Sequence, residues 1–122
     1  MNDVAPYPPV RRVAVLGAGT MGGGIAALLA EAGFAVALTD PAPEAGQRAL
    51  ARIAKRAPQA IVVFVETPEA AAAEADLVIE AAPERLDVKL DLFRRLDGAA
   101  PAHAVLASNT SQLSITALGA AT

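Results

Sequence analysis

Residues 13–26 read VAVLGAGTMGGGIA. An aliphatic run stops at Gly17, a second apolar segment opens at Thr20, and glycines stand at 17, 19 and 22. The run RRVAVLG, residues 11–17, is too short for a helix and too continuously apolar for a strand with one wet face, so it is expected to be a buried strand. From Thr20 to Ala32 only Glu31 is charged, and Gly33 stands where a C-terminal cap belongs, which predicts a helix that is apolar nearly all round and largely buried. Glycines spaced Gly-x-Gly-x-x-Gly between a strand and a helix each have a task. Gly17 permits the tight turn off the strand, Gly19 lets backbone approach a pyrophosphate, and Gly22 lets the helix lie close on the strand. The N–H groups and the positive dipole end of the helix, at Thr20, Met21 and Gly22, would then face the phosphates.

The next segment, FAVALTD at 34–40, reads as a second buried strand that ends on an acid. Asp40 lies 23 positions after Gly17. A carboxylate there accepts hydrogen bonds from ribose hydroxyls and repels a 2′-phosphate. Pro41 and Ala42 follow in place of an arginine, so the pattern favours NAD over NADP. Two alternatives stay open: glycines that serve only helix–strand packing, with Asp40 capping the next helix, or a site for FAD or a mononucleotide.

Further on, strands are expected at 60–66, 76–81 and 104–108, and helices at 43–56 (basic and exposed), 68–76, 86–97 and 114–120. Helices alternate with continuous apolar strands, the pattern of a parallel sheet covered on both faces; with right-handed crossovers this is a doubly wound α/β sheet, the Rossmann arrangement. Residues 1–9 carry three prolines and read as a flexible leader, leaving 10–122 as one dinucleotide-binding domain. A net charge of −3 argues against nucleic acid and anionic membrane as partners. No cysteine is present, which removes disulfides and thiolate chemistry. The N-terminus lacks the pattern of a signal peptide and no apolar stretch is long enough to span a bilayer, so a cytoplasmic location is expected.

Ligands in such sheets bind beyond the carboxyl ends of the strands. The strand at 76–81 runs into IEAAPE, which brings Glu80, Ala82 and Glu84 to that edge, with Ala82 and Glu84 as cofactor-binding candidates. On the helix from Leu86, the apolar stripe is Leu86, Leu90, Phe93 and Leu96; Lys89 falls inside it, while Asp87, Asp91 and Arg94 fall opposite. Lys89 either snorkels from the first turn or faces the ligand paired with Glu84. His103, the sole histidine, precedes the strand at 104–108 and so belongs to the amino edge. That placement leaves no histidine base at the ligand edge, no metal cluster and no Ser-His-Asp set. After the last strand comes SNTSQLSI, 108–115. Its hydroxyls and amides either meet a cofactor carboxamide or a substrate oxygen, or form a turn that caps the helix at Ser114.

Taken together, GAGTMGGGIA, ADLVIEAAPE, Lys89 with LFRRLD, and ASNTSQLSIT resemble the NAD-binding domain of the L-3-hydroxyacyl-CoA dehydrogenases, from about Val13 to Ala117. The glycine pattern alone would also suit the 3-hydroxyisobutyrate and 6-phosphogluconate dehydrogenases, which lack SNTS. The resemblance implies that Gly17 to Gly22 bind the pyrophosphate and Asp40 the adenosine ribose. It implies that Glu84 and Lys89 lie near the cofactor and a CoA-bearing substrate, that Asn109 lies near the nicotinamide, and that Ser111 hydrogen-bonds the substrate's 3-oxygen, which makes Ser111 and Asn109 the catalytic candidates. The implied reaction is NAD-dependent oxidation of a 3-hydroxyacyl-CoA to the 3-ketoacyl-CoA, as in fatty acid β-oxidation. Two departures stand out. Only about 20 residues, Pro41 to Gln59, fill the place of a longer helical excursion in the family, and the chain stops at Thr122. The family's catalytic His–Glu pair and the helical C-terminal domain through which it dimerises follow beyond that point. The expectation is therefore a cofactor half, not active alone. A stand-alone NAD(H)-sensing module, or a dehydrogenase for a hydroxyacyl carrier protein or a free hydroxy acid, remains the alternative.

Overall fold

A computed structural model describes residues 9–110 and 114–122. Ten elements alternate along the chain: β1 (Arg12–Leu16), α1 (Thr20–Glu31), β2 (Ala35–Thr39), α2 (Pro43–Arg56), β3 (Val62–Phe64), α3 (Pro68–Ala72), β4 (Leu77–Glu80), α4 (Leu86–Ala99), β5 (Val105–Ser108) and α5 (Ile115–Ala120). The strands form one parallel sheet in the order β3-β2-β1-β4-β5. Residues 1–8 of the expected leader lie outside the described residues; Pro9 and Val10 are exposed.

Along β1, Val13 and Val15 point to one face and Ala14 and Leu16 to the other, and all four are buried. The first pair packs with Ala26, Ala27 and Ala30 of α1 and with Ala49 and Ile53 of α2. The second pair packs with Ala71 and Ala72 of α3 and Leu96 of α4. This double coverage is why the strand reads as an unbroken apolar run. Small residues on α1 bring that helix close to the sheet.

Several expectations shift. α1 is not buried all round: its alanines face the sheet, whereas Met21 and Leu28 on the outer side are 58% and 63% exposed. α2 is exposed on one face only, since Ala45, Gly46, Ala49 and Ile53 are buried. β3 is shorter than 60–66 because it is an edge strand with one neighbour, β2, and Ile61 and Val63 are exposed. The helix expected over 68–76 ends at Ala72. Asp76 instead turns the chain into β4, where its Oδ2 accepts the backbone N–H groups of Arg11 and Arg12 at 2.9 and 3.0 Å.

Strand order decides where a site can form. The chain winds outward from β1 through β2 to β3, then returns across β1 to β4 and β5. β1 and β4 are therefore neighbours whose following loops leave in opposite directions, which opens a crevice at their carboxyl ends.

Candidate dinucleotide site

At that crevice lies a cleft of about 810 Å³, bordered by the glycine loop, Asp40, Thr67 and the loop after β4. The structure separates the tasks of the three glycines. Gly17 has φ +109°, and a Cβ there would lie 2.6 Å from the carbonyl oxygen of Ala81. At Gly22 a Cβ would lie 1.8 Å from the carbonyl oxygen of Gly17. These two glycines serve backbone packing, one against the loop after β4 and one between loop and helix. Gly19 differs: a Cβ there would meet nothing within 4 Å. It is exposed on the cleft at the start of α1 and has no side chain to cap the helix, whose first-turn residues Thr20, Met21 and Gly22 border the same cleft. Packing accounts for Gly17 and Gly22, whereas the open space at Gly19 leaves room for a phosphate to approach the helix N-terminus.

Asp40 borders the same cleft. Its Oδ2 accepts the Ala18 N–H and its Oδ1 the Ala42 N–H, both at 2.8 Å. The carboxylate thus braces the glycine loop from the end of β2. Each oxygen keeps a further lone pair for a ribose hydroxyl. Glu66, Asp87 and Asp91 also line the cleft, with Arg95 as the basic lining residue among those described. Arg95 is committed elsewhere: its guanidinium grips Glu69 of α3 with two bonds of 2.7 Å. That pairing holds the Glu69 carboxyl down at about 2. Asp87 and Asp91, expected on a solvated face of α4, instead stand at the cleft wall as well as in solvent, because α4 runs along it.

Beside the cleft, toward β5, lies a second group of polar side chains. Glu80, at the end of β4, is 0% exposed, and Lys89 of α4 is 1% exposed. Lys89 Nζ lies 3.0 Å from Glu80 Oε2 and 3.2 Å from Glu84 Oε1. Lys89 therefore does not snorkel; it is buried and ion-paired, and its first partner is Glu80, with Glu84 second. Glu80 Oε2 also accepts the Ala82 N–H at 2.6 Å, and Oε1 accepts the Ser108 hydroxyl at 2.5 Å. Thr110 Oγ1 donates to Glu84 Oε1 at 2.6 Å, and the Asn109 N–H donates to the Glu80 carbonyl at 2.8 Å.

Of the sequence candidates, the fold brings Gly17, Gly19, Thr20, Met21, Gly22, Asp40 and Ala82 to the wall of one cleft. Glu84, Lys89 and Asn109 lie at the same sheet edge but outside that wall, with Asn109 exposed. Ser111 lies outside the described residues. Ser114 caps α5, its Oγ accepting the Ala117 N–H at 3.1 Å, so the turn-and-cap reading of that segment holds for Ser114 itself. The sequence places Glu80 at the edge without a role, and Ser108 only as the first residue of the polar SNTS segment, with no partner in β4. The available signal was an ionisable residue ending a strand otherwise made of Leu, Val and Ile, which requires a buried partner.

His103 sits at the opposite end of the sheet, its Nε2 2.8 Å from Asp76 Oδ1. That contact and the two backbone N–H groups lower the Asp76 carboxyl from 3.8 to about 2. An acid depressed in this way stabilises the native state at pH above its ordinary value and ceases to do so as pH falls toward its folded value. Stability is therefore expected to drop between about pH 4 and pH 2, and Asp76→Asn to flatten the drop. Thermal melts across that range check this; parallel curves for parent and variant would contradict it.

Comparison with known proteins follows the same residues. The family described as 3-hydroxyacyl-CoA dehydrogenase, NAD binding domain, matches residues 12–122. The chain is 44% identical to an L-carnitine dehydrogenase of Streptomyces griseus over 90% of its own length and 37% of the relative's. It is 43% identical to a 3-hydroxyadipyl-CoA dehydrogenase of Escherichia coli K12, over 91% and 26%. The crystal structure of a 3-hydroxybutyryl-CoA dehydrogenase from Escherichia coli K12 superposes with a TM-score of 0.81 at 41% identity, covering 93% of this chain and 27% of that one. The chain spans less than half the length of these curated relatives.

Proposed function

The chain belongs to the 3-hydroxyacyl-CoA dehydrogenase family, matched along its NAD-binding domain, and from that premise we propose that its cleft holds NAD as the cofactor half of a hydroxyacyl-CoA oxidoreductase. The observation that carries this is the open space at Gly19 in front of the α1 N-terminus, with Asp40 on the same cleft. In this reading the first turn of α1 binds the pyrophosphate, Asp40 accepts the ribose hydroxyls, and Asn109, Glu84 and Lys89 serve the nicotinamide and substrate side. Ser111 receives the substrate's 3-oxygen. Bound NAD supplies the hydride acceptor. The hydroxyl proton needs a general base. His103, at the amino edge, is on the wrong side of the sheet, so the role of these residues is to bind and orient rather than to take the proton.

Two features bear on the substrate. α2 is a single helix of 14 residues packed on the sheet, with Ala45, Ala49 and Ile53 buried. L-carnitine dehydrogenases recur among the relatives, at 44%, 43% and 42% identity. A 3-hydroxy acid without CoA is therefore the second reading.

A fluorescence titration tests the cofactor assignment. NADH is expected to bind at least about tenfold more tightly than NADPH, about 1.4 kcal/mol, because the 2′-phosphate would face Asp40. Equal affinities would refute the role of Asp40. Turnover of NADH with acetoacetyl-CoA is not expected from this chain alone; if it occurs, Glu84 or Lys89 carries the proton.

A further inference from the structure

Glu80 is a fully buried carboxylate that the cofactor reading does not use. Three donors converge on it: the Lys89 ammonium, the Ala82 N–H and the Ser108 hydroxyl, at 3.0, 2.6 and 2.5 Å. They come from α4, from the loop after β4 and from the end of β5. A carboxylate accepts all three at once; a glutamine amide presents one accepting oxygen and one donating nitrogen, so it cannot. The same two loops are tied again outside it, by Thr110 to Glu84 and by Asn109 N–H to the Glu80 carbonyl. The loop after β4 lines the cleft through Ala81, Ala82 and Pro83, whereas Asn109 and Thr110 stand beyond it.

A dinucleotide whose adenosine end meets Asp40 at β2 and whose pyrophosphate crosses the glycine loop at β1 must run on toward β4 and β5, because the strand order is β2-β1-β4-β5. The segments that Glu80 joins are therefore those under the nicotinamide end. We infer that Glu80 is a positioning residue: pinned by Lys89, its buried carboxylate locks the loop after β4 to the three residues from Ser108 to Thr110, so that both present one fixed surface to the nicotinamide half of the cofactor. This rests on the NAD assignment above. It assigns Glu80 and Ser108 no contact with the cofactor.

Because variants at Glu80 disturb a buried ion pair, Ser108 provides the cleaner test. Ser108→Ala cuts the link while Lys89 and Glu80 remain paired, and Ser108→Thr keeps a hydroxyl. NADH and ADP-ribose, which shares every part of the cofactor except the nicotinamide, are titrated against parent and variants, with thermal melts to confirm folding. Ser108→Ala is expected to bind NADH roughly tenfold more weakly, the scale of one charge-assisted hydrogen bond, and ADP-ribose within about twofold of parent. Ser108→Thr is expected to restore NADH affinity. Unchanged NADH affinity in Ser108→Ala overturns the inference, as does a parallel loss of both ligands or a threonine variant that behaves like alanine. A parent that binds ADP-ribose as tightly as NADH overturns the inference alone, whereas a parent that binds neither refutes the NAD assignment and the inference with it.

Discussion

Replacing Lys89 with methionine is expected to cost the fold about 3–5 kcal/mol, the range for leaving one member of a buried ion pair uncompensated. The reason lies in the burial of both partners. Lys89 is 1% exposed and Glu80 0%, so no water replaces the ammonium when it is removed. For a domain of this size such a loss lowers Tm on the order of 10 °C or more. Glu80 would keep the Ala82 and Ser108 donors but lose the cation that offsets its charge. Urea denaturation and thermal melts read the effect directly. A loss below about 1 kcal/mol would show that water reaches Glu80. Combining Lys89→Met with Glu80→Gln is expected to recover part of the loss, because the double variant removes the charge together with its partner. The pair is thus a cost that each residue imposes on the other, set at the sheet edge beside the proposed cofactor site.

Gly22→Ala is expected to abolish NADH binding at concentrations that saturate the parent, and to destabilise the fold by about 3 kcal/mol, the upper part of the usual range for overpacking. A Cβ at 1.8 Å from the Gly17 carbonyl oxygen has backbone on the other side of the clash, with no side chain able to turn away. Relief requires α1 to lift from the loop or the Gly17 peptide to rotate, and either movement misdirects the first-turn N–H groups. Gly19→Ala provides the contrast. Its Cβ would meet nothing in the protein, so stability is expected to change little while NADH affinity falls. If Gly19→Ala bound NADH as the parent does, the pyrophosphate would not approach at that position.

The two glycine variants also show how far the sequence could be read. The Gly-x-Gly-x-x-Gly spacing between an aliphatic run and a helix was enough to expect the loop and its ligand class. Which glycine clashes with which carbonyl required coordinates, since Gly17 packs on Ala81, 64 positions away in the chain. Lys89 tells the same story. Its place inside the apolar stripe of α4 excluded the fully solvated face, and Glu84, five residues earlier, was the partner that spacing offered. The first partner proved to be Glu80, because β4 carries that carboxylate into the interior under the helix. Local spacing gave no measure of that depth. Ser108 reads as the start of a polar segment that meets ligand or forms a turn; its bond to Glu80 is not legible, because it exists only where β4 and β5 are paired in register, Glu80 beside Ser108.

By itself, the sequence determined the alternation of strands and helices, the parallel sheet covered on both faces, the glycine loop and the acid at the end of the second strand. These follow from hydrophobic runs, caps and turn residues within a few positions of one another, and such local preferences need no distant contact. Only the tertiary structure decided that β1 lies between β2 and β4, that a cleft bordered by the glycine loop and Ala81–Pro83 opens at their carboxyl ends, and that a buried carboxylate gathers α4, the loop after β4 and β5 beside it. Those features depend on which elements pack together across many residues of chain. That choice is made by burial of the whole core, where an ionisable group must find its partner or not be buried at all.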